Sequence, residues 1–309
     1  MSASDADRLP LVSVVIPTRD RPQLLEQAVR CVLGQTYPGP LECLVVFDRT
    51  TPVLPSHESS PLRRLCALSN ARTPGLAGTR NTGVEAATGE LVAFCDDDDE
   101  WLPDKLEVQL ELLRRLGAAT VTSGISIMYR GRRHDRVPAS ETVSFRDLLR
   151  SRRAEIHPST IVVERRAMLD RIGLVDEQIP GSYAEDYEWL LRAARNGVVA
   201  TVQRPLVIVN WHPSSYFTGR WDTIAAAFLY LLERYPEFRG EPKGLARIYG
   251  QLAFACAAAG RREEGRRWAR KAIALDPRQP RAYLALLVGA RLVRPEHLLR
   301  LANSFGRGI

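Results

Sequence analysis

The chain has 309 residues, 45% of them hydrophobic and 26% charged, with a formal net charge of +7 carried almost wholly by arginine. That is enough chain for one large domain or two unequal ones, and the composition is that of a water-soluble globular protein. The longest apolar runs, such as Leu284 to Ala290, fall far short of the roughly 20 residues a spanning helix needs, so no transmembrane segment is expected.

Leu11 to Ile16 is a β-branched run closed by Pro17 and reads as a first strand. Pro22 then opens a helix whose apolar positions, Leu24, Leu25, Ala28, Val29, Val32 and Leu33, keep helical spacing. Leu41 to Phe47 is a second strand with Asp48 at its carboxyl end, and the proline-bearing stretch from Arg49 to Pro61 is a loop. A short third strand near Leu65 to Ser69 precedes Gly75, Gly78 and Gly83, which bracket a turn into a helix carrying Arg80 and Asn81. Glu90 to Cys95 is a strand that delivers five consecutive acids, Asp96 to Glu100. This alternation predicts a parallel sheet with helices on both faces.

Lys105 to Leu116 reads as a helix and Thr120 to Tyr129 as a strand turning at Gly131. The pattern is then irregular until a strand from Ser159 to Val163. Ala184 to Asn196 is a helix stopped by Gly197, followed by strands Val198 to Val202 and Leu206 to Asn210 and a polar, aromatic loop from Trp211 to Arg220. From Trp221 the chain reads as helical, with helices over Ala246 to Ala259, Arg261 to Leu275 and Pro280 to Val293. The expected division is therefore an α/β domain over residues 1–220 and a helical region over 221–309. Tyr249, Leu252, Ala253, Cys256, Gly265, Ala269, Ala272 and Pro277 resemble a tetratricopeptide repeat, too little of it to stand as a solenoid.

The acid run carries the chemistry. Neighbouring carboxylates repel unless something positive neutralises them, and hard cations such as Mn²⁺ or Mg²⁺ do this with oxygen ligands. In open α/β sheets ligands sit beyond the carboxyl ends of strands, so acids placed there point to a metal bound with a phosphate-bearing ligand. The competing reading is a solvated acidic turn with Asp99 or Asp104 capping the next helix. Arg80, in a glycine-bracketed turn at a helix start, suits a phosphate. Glu185 and Asp186 open a helix, where acids favour the dipole and can also accept a proton.

Several motifs then occur in order between Leu9 and His212. They are Val14-Val15-Ile16-Pro17-Thr18 with Arg21, Gly78-x-Arg80-Asn81-x-Gly83, Gly89-Glu90 and Asp96-x-Asp98-Asp99. Trp101 to Leu106, His157-Pro158-Ser159, Gly173 to Glu177 and Glu185-Asp186 complete the series. The ordered set resembles family 2 of the inverting glycosyltransferases, with the Rossmann-like GT-A fold of nucleotide-diphospho-sugar transferases. That resemblance implies metal-dependent transfer of a sugar from a nucleotide-sugar donor, UDP- or dTDP-linked, by direct displacement. It implies nucleotide binding by Pro17, Thr18, Arg19, Arg21, Asp48, Arg80, Asp96 and Asp97. Mn²⁺ or Mg²⁺ would be held by Asp98, with His212. Asp186 would be the catalytic base, and Glu185 and Trp211 would contact the acceptor, which could be a saccharide, a lipid-linked molecule, a peptide or a small molecule.

Two other readings stay open. A nucleotidyltransferase would share the strand-end acids, although Pro17 to Arg21 lacks the glycine of a phosphate loop. A non-catalytic, partner-binding scaffold would rely on the C-terminal helices, although Asp48, Arg80, Asp96, Asp98 and Asp186 are all in place. The arginine clusters read as solvated faces, so no nucleic-acid partner is expected and peripheral contact with an anionic membrane stays open. Five scattered cysteines and a polar N-terminus without an apolar signal core lead to the expectation of a cytoplasmic protein.

Overall fold

Mainly apolar runs form strands buried on both faces, and the one charged residue among the three central strands, Glu42 of the second, is itself buried and hydrogen-bonded to Ser13. A computed structural model describes residues 9–58, 60–211 and 219–304. In it β1 (Val12–Thr18), β2 (Leu41–Phe47) and β4 (Leu91–Phe94) lie at the centre, and the charged, half-exposed β3 (Arg63–Ser69) forms an edge. These four strands are parallel. The sheet continues through β5 (Asp99–Trp101), β6 (Thr120–Tyr129), β9 (Val162–Glu164) and β10 (Val199–Asn210), in the order β3-β2-β1-β4-β9-β6-β10-β5. Two short strands, β7 (Arg132–Arg136) and β8 (Thr142–Val143), pair with β6 and β10.

The sheet is mixed where a parallel one was expected. β9 runs antiparallel to both β4 and β6. Its chain enters through the turn Pro158–Thr160 at the carboxyl end of β4, where the Asp96 amide donates to Ser159 Oγ at 3.0 Å. A strand starting at that end can only run back along β4. The two expected strands around Pro205 are one strand, β10, with register shifts between Val202 and Val207. Proline lacks the N–H the ladder needs, so the ladder slips without ending.

Helices cover both faces. On one side α1 (Pro22–Leu33) and α3 (Lys105–Leu116) pack Leu25, Ala28, Val29, Leu106, Leu110 and Leu113 into a core with β1, β2 and β4. On the other lie α2 (Leu76–Ala86), α4 (Phe145–Arg150), the single turn α5 (Arg165–Ala167) and α6 (Glu185–Arg195). The core around Tyr187, Trp189 and Leu190 runs on without a break into α7 (Trp221–Arg234) and α8 (Pro242–Ala258), through Phe228, Leu231, Ile248 and Leu252. The helices α9 (Arg262–Leu275), α10 (Pro280–Gly289) and α11 (Pro295–Ser304) complete the chain, and small residues Ala253, Ala257, Ala269 and Ala272 let α8 and α9 approach closely.

Two glycines set the position of α2. A Cβ on Gly83 would lie 2.3 Å from Val15 Cγ1, and one on Gly78 would lie 1.9 Å from the Thr73 carbonyl oxygen. Only glycine lets this helix sit directly on β1, and that seat brings Arg80 over the carboxyl end of the sheet.

Candidate functional site

Because β1, β2 and β4 are parallel, Thr18, Asp48 and the acid run leave the sheet along one edge. Beyond β2 a cavity of about 440 Å³ is lined by Phe47, Asp48, Thr50, Ser69, Asn70 and Arg72, among others. Asp48 is buried in its wall, accepting from Asn70 Nδ2 at 2.9 Å, while its amide donates to the Thr18 carbonyl at 3.0 Å. Among the described residues no hydrogen bond reaches the other Asp48 carboxylate oxygen.

Three cations, Arg80, Arg21 and His157, face the four aspartates of the run. Asp96 pairs with the buried Arg80 guanidinium at 2.6 Å. Asp97 is buried, accepting from Thr18 Oγ1 at 2.7 Å and from Arg21 Nη1 at 3.1 Å. Asp98 accepts from the same Arg21 nitrogen at 2.9 Å. Burial, followed by repulsion from Asp99, Asp96 and Asp97, pushes its carboxyl up to about 7, with Arg21 opposing. Asp99 is buried, 2.5 Å from Ser159 Oγ and 3.1 Å from His157 Nδ1. Burial works against a charged His157, yet Asp99, with Asp96 and Asp186 further off, raises it to about 9. Protonated, His157 donates Nδ1–H to Asp99.

Arg80 also pairs with Glu185, so one buried guanidinium joins the end of β4 to the start of α6. Burial, then Asp186, raises the Glu185 carboxyl while Arg80 holds it down. Asp186 receives Arg152 Nη2 at 3.1 Å on both oxygens. Burial favours its neutral form, but Arg152 first and His157 second hold it below the usual carboxylate range. The approach to α6 is strained. Gly181, Ser182 and Ala184 all have left-handed backbone, with φ of 62°, 55° and 65°. For a residue with a Cβ such a conformation costs on the order of 1–3 kcal/mol, a cost that persists where the surroundings over-determine a functional site.

Of the residues singled out from sequence, Thr18, Arg21, Arg80, Asp96, Asp97, Asp98, Glu185 and Asp186 come together in this cleft, with Asp48 in the adjoining cavity. Pro17 is buried in β1. Arg19 is half-exposed and its nearest ion partner is Asp20 at 4.0 Å. Trp211 follows β10 under the Arg136 guanidinium, 5.2 Å from the ring centroid. His212 lies outside the described residues.

The donor atoms closest to a cation site are not those centred on Asp98. Oxygens of Asp96 and Asp99 and a ring nitrogen of His157 lie within 4.8 Å of one another. Two hard oxygens and an imidazole nitrogen fit Mn²⁺ or Mg²⁺, provided His157 gives up its proton. Sequence reasoning missed His157, Ser159 and Arg152 as site residues. The His157-Pro158-Ser159 motif was a usable signal, but only the antiparallel path of β9 carries it to Asp99.

A family model described as glycosyl transferase family 2 matches residues 13–171. The putative teichuronic acid biosynthesis glycosyltransferase TuaG of Bacillus subtilis is 32% identical over 177 residues, covering 55% of this chain and 66% of that protein. The UDP-Glc:α-D-GlcNAc-diphosphoundecaprenol β-1,3-glucosyltransferase WfgD of Escherichia coli is 29% identical, covering 62% of this chain and 72% of its own. The chain thus spans about two thirds of the length of these relatives. Among solved structures, S. aureus TarS 1-349 in complex with UDP-GlcNAc superposes with a TM-score of 0.60 at 15% identity, covering 96% of this chain and 92% of that one. The mannosyltransferase PcManGT of Pyrobaculum calidifontis, in complex with GDP-Man and Mn²⁺, gives 0.55 at 19% identity, covering 94% and 83%.

Proposed function

The chain belongs to glycosyl transferase family 2 and has the GT-A fold, so it is a glycosyltransferase by family, and on that premise we propose that it moves a sugar from a UDP-sugar to an acceptor hydroxyl by direct, inverting displacement. One observation carries this reading. Strand-end acids, their compensating cations and the Glu185–Asp186 pair converge on a single cleft beside a cavity that Asp48 lines.

In this reading the nucleobase enters the cavity beyond β2 and is held by the free Asp48 oxygen. The diphosphate lies over the acid run. Asp96, Asp98, Asp99 and His157 are the residues that would hold Mn²⁺ or Mg²⁺, which when bound neutralises charge on the departing diphosphate. Asp186 is kept ionised by Arg152, so it reaches the acceptor hydroxyl ready to take its proton. Attack from the face opposite the leaving group inverts the anomeric centre.

Titration calorimetry of UDP, dTDP and GDP, each with and without Mn²⁺, tests the donor half. UDP should bind measurably only when Mn²⁺ is present, and more tightly than GDP. Failure of all three nucleotides to bind would sink the proposal.

A further inference from the structure

Glu177 ends the motif Gly173 to Glu177 and reaches across to the loop that walls the Asp48 cavity. One of its carboxylate oxygens accepts from Arg72 Nε at 2.5 Å and from Asn81 Nδ2 at 2.7 Å, and the other accepts from the Thr73 amide at 3.2 Å. The turn that carries Glu177 is pinned from two sides. Asn81, on α2, donates to the Val175 carbonyl and accepts from the Val175 amide, both at 2.8 Å. Tyr230, on α7, donates to Asp176 at 2.6 Å, so the C-terminal helices hold the same turn.

The loop it holds has little else to fix it. Ala71, Arg72, Thr73 and Pro74 are all exposed, so apolar burial does not set their position. Arg72 lines both the cavity beyond β2 and a second one of about 490 Å³, which Thr73, Asp176 and Glu177 also line. With open space on either side, the path of the loop depends on hydrogen bonds. Asn70 passes that path on to Asp48. Its Nδ2 donates to Asp48 Oδ1 at 2.9 Å and to the Thr73 carbonyl at 3.2 Å, and its Oδ1 accepts from the Arg72 amide and from Thr82 Oγ1, both at 3.0 Å. Burial works against a charged Glu177, yet the bonds from Thr73, Asn81 and Arg72 draw its carboxyl down to about 2, so the clamp stays ionised near neutral pH.

We infer that Glu177 is a positioning residue for nucleobase selection: by clamping Arg72 and Thr73 it fixes Asn70, which occupies one Asp48 oxygen and leaves the other to accept an N–H of the base. This rests on the placement of the base in the Asp48 cavity in the proposed function. A base that offers a ring N–H, as uracil does at N3, is accepted. Cytosine turns a lone pair to the same carboxylate and is refused.

The test titrates UDP, CDP and inorganic pyrophosphate, each with Mn²⁺, into the full chain and its variants. The parent should favour UDP over CDP by about a hundredfold. Glu177→Gln keeps the shape but loses the charge and one of the two accepting oxygens, so it should lower that ratio about tenfold. Pyrophosphate affinity, which involves no base, should stay unchanged. Glu85→Gln removes the other carboxylate on Arg72, half-exposed and 2.6 Å away, and should leave the ratio as it is. In the free protein, amide exchange over residues 71–73 should quicken in Glu177→Gln and not in Glu85→Gln. The inference is overturned if Glu177→Gln keeps the parent's ratio, if pyrophosphate binding falls together with UDP binding, or if exchange over 71–73 is unchanged. A parent that does not prefer UDP, or an Asp48→Asn variant that keeps the preference, would take down the base placement, and the selective role of Glu177 with it. The exchange measurement needs no nucleotide, so it tells loss of the clamp apart from loss of that placement.

Discussion

The two sides of the cleft handle charge in opposite ways. On the sheet side the four aspartates of the run all meet a cation: Asp96 has Arg80, Asp97 and Asp98 share Arg21, and Asp99 has His157. On the helical side Arg152 goes to Asp186, and Arg247 donates to the Tyr187 hydroxyl and pairs with no carboxylate among the described residues. The difference teaches that the first surface is internally balanced and fixed before any ligand arrives. The second is held by hydrogen bonding and stacking on a neutral ring as well as by ion pairing, since Arg247 donates to Tyr187 Oη and lies over its ring.

The largest expected effect comes from breaking the balanced side at its hub. Arg80→Leu leaves Asp96 and Glu185 facing each other in a buried place without their shared cation, and should cost about 3–5 kcal/mol of stability in denaturant unfolding. Arg80→Lys should recover only part, since one ammonium cannot fork between two carboxylates. A loss below about 1 kcal/mol would show that solvent reaches this pair and that the sheet side is not balanced from within.

Asp186 lies where the two sides meet. Asp186→Asn keeps an acceptor for Arg152 but no longer takes a proton, so transfer should fall by about a thousandfold while UDP affinity stays unchanged. Retained transfer would remove Asp186 as the base and move the meeting point elsewhere.

The smallest effect tests an exception on the sheet side. Lys105 is fully buried, 3.7 Å over the Trp101 ring, and its Nζ has no hydrogen-bond partner among the described residues. Burial lowers it to about 7 from 10.5, with Cys95 and Cys31 opposing. Between those two values the unfolded chain carries a proton that the folded chain lacks, so this residue makes stability rise as pH rises from 7 to 10.5. Lys105→Met should remove that slope and stabilise the protein near pH 7 by about 1 kcal/mol or more. An unchanged slope in thermal unfolding across the same range would mean that Lys105 keeps its charge in the fold.

Much of the sheet side was legible before folding because its parts are contiguous. A β-branched run ending in five acids announces both a buried strand and what stands at its end, and Gly78 and Gly83 around Arg80 announce a helix pressed against that strand. The helical side was not legible. Arg152 and Arg247 read as two members of a large solvated arginine population, and nothing in their spacing places one on Asp186 and the other on the adjacent Tyr187. His157 is visible in the sequence only as part of a motif, and its place beside Asp99 is not, because the direction of β9 is set by the end at which its turn meets β4.

By itself, then, the sequence determined the family, the GT-A fold, the strand whose end carries the acids and the helix that opens with Glu185 and Asp186. The family and its fold were legible through the resemblance of the ordered motifs, and the strand and helix follow from hydrophobic period, turn residues and local charge, which act within a few residues along the chain. Only the tertiary structure decided which cation each acid receives: Arg21 for Asp98, His157 for Asp99, and Arg80 bridging to Glu185, 105 residues away. Such pairings are chosen by which side chains share a buried volume once the sheet has closed, and burial is a property of the whole fold.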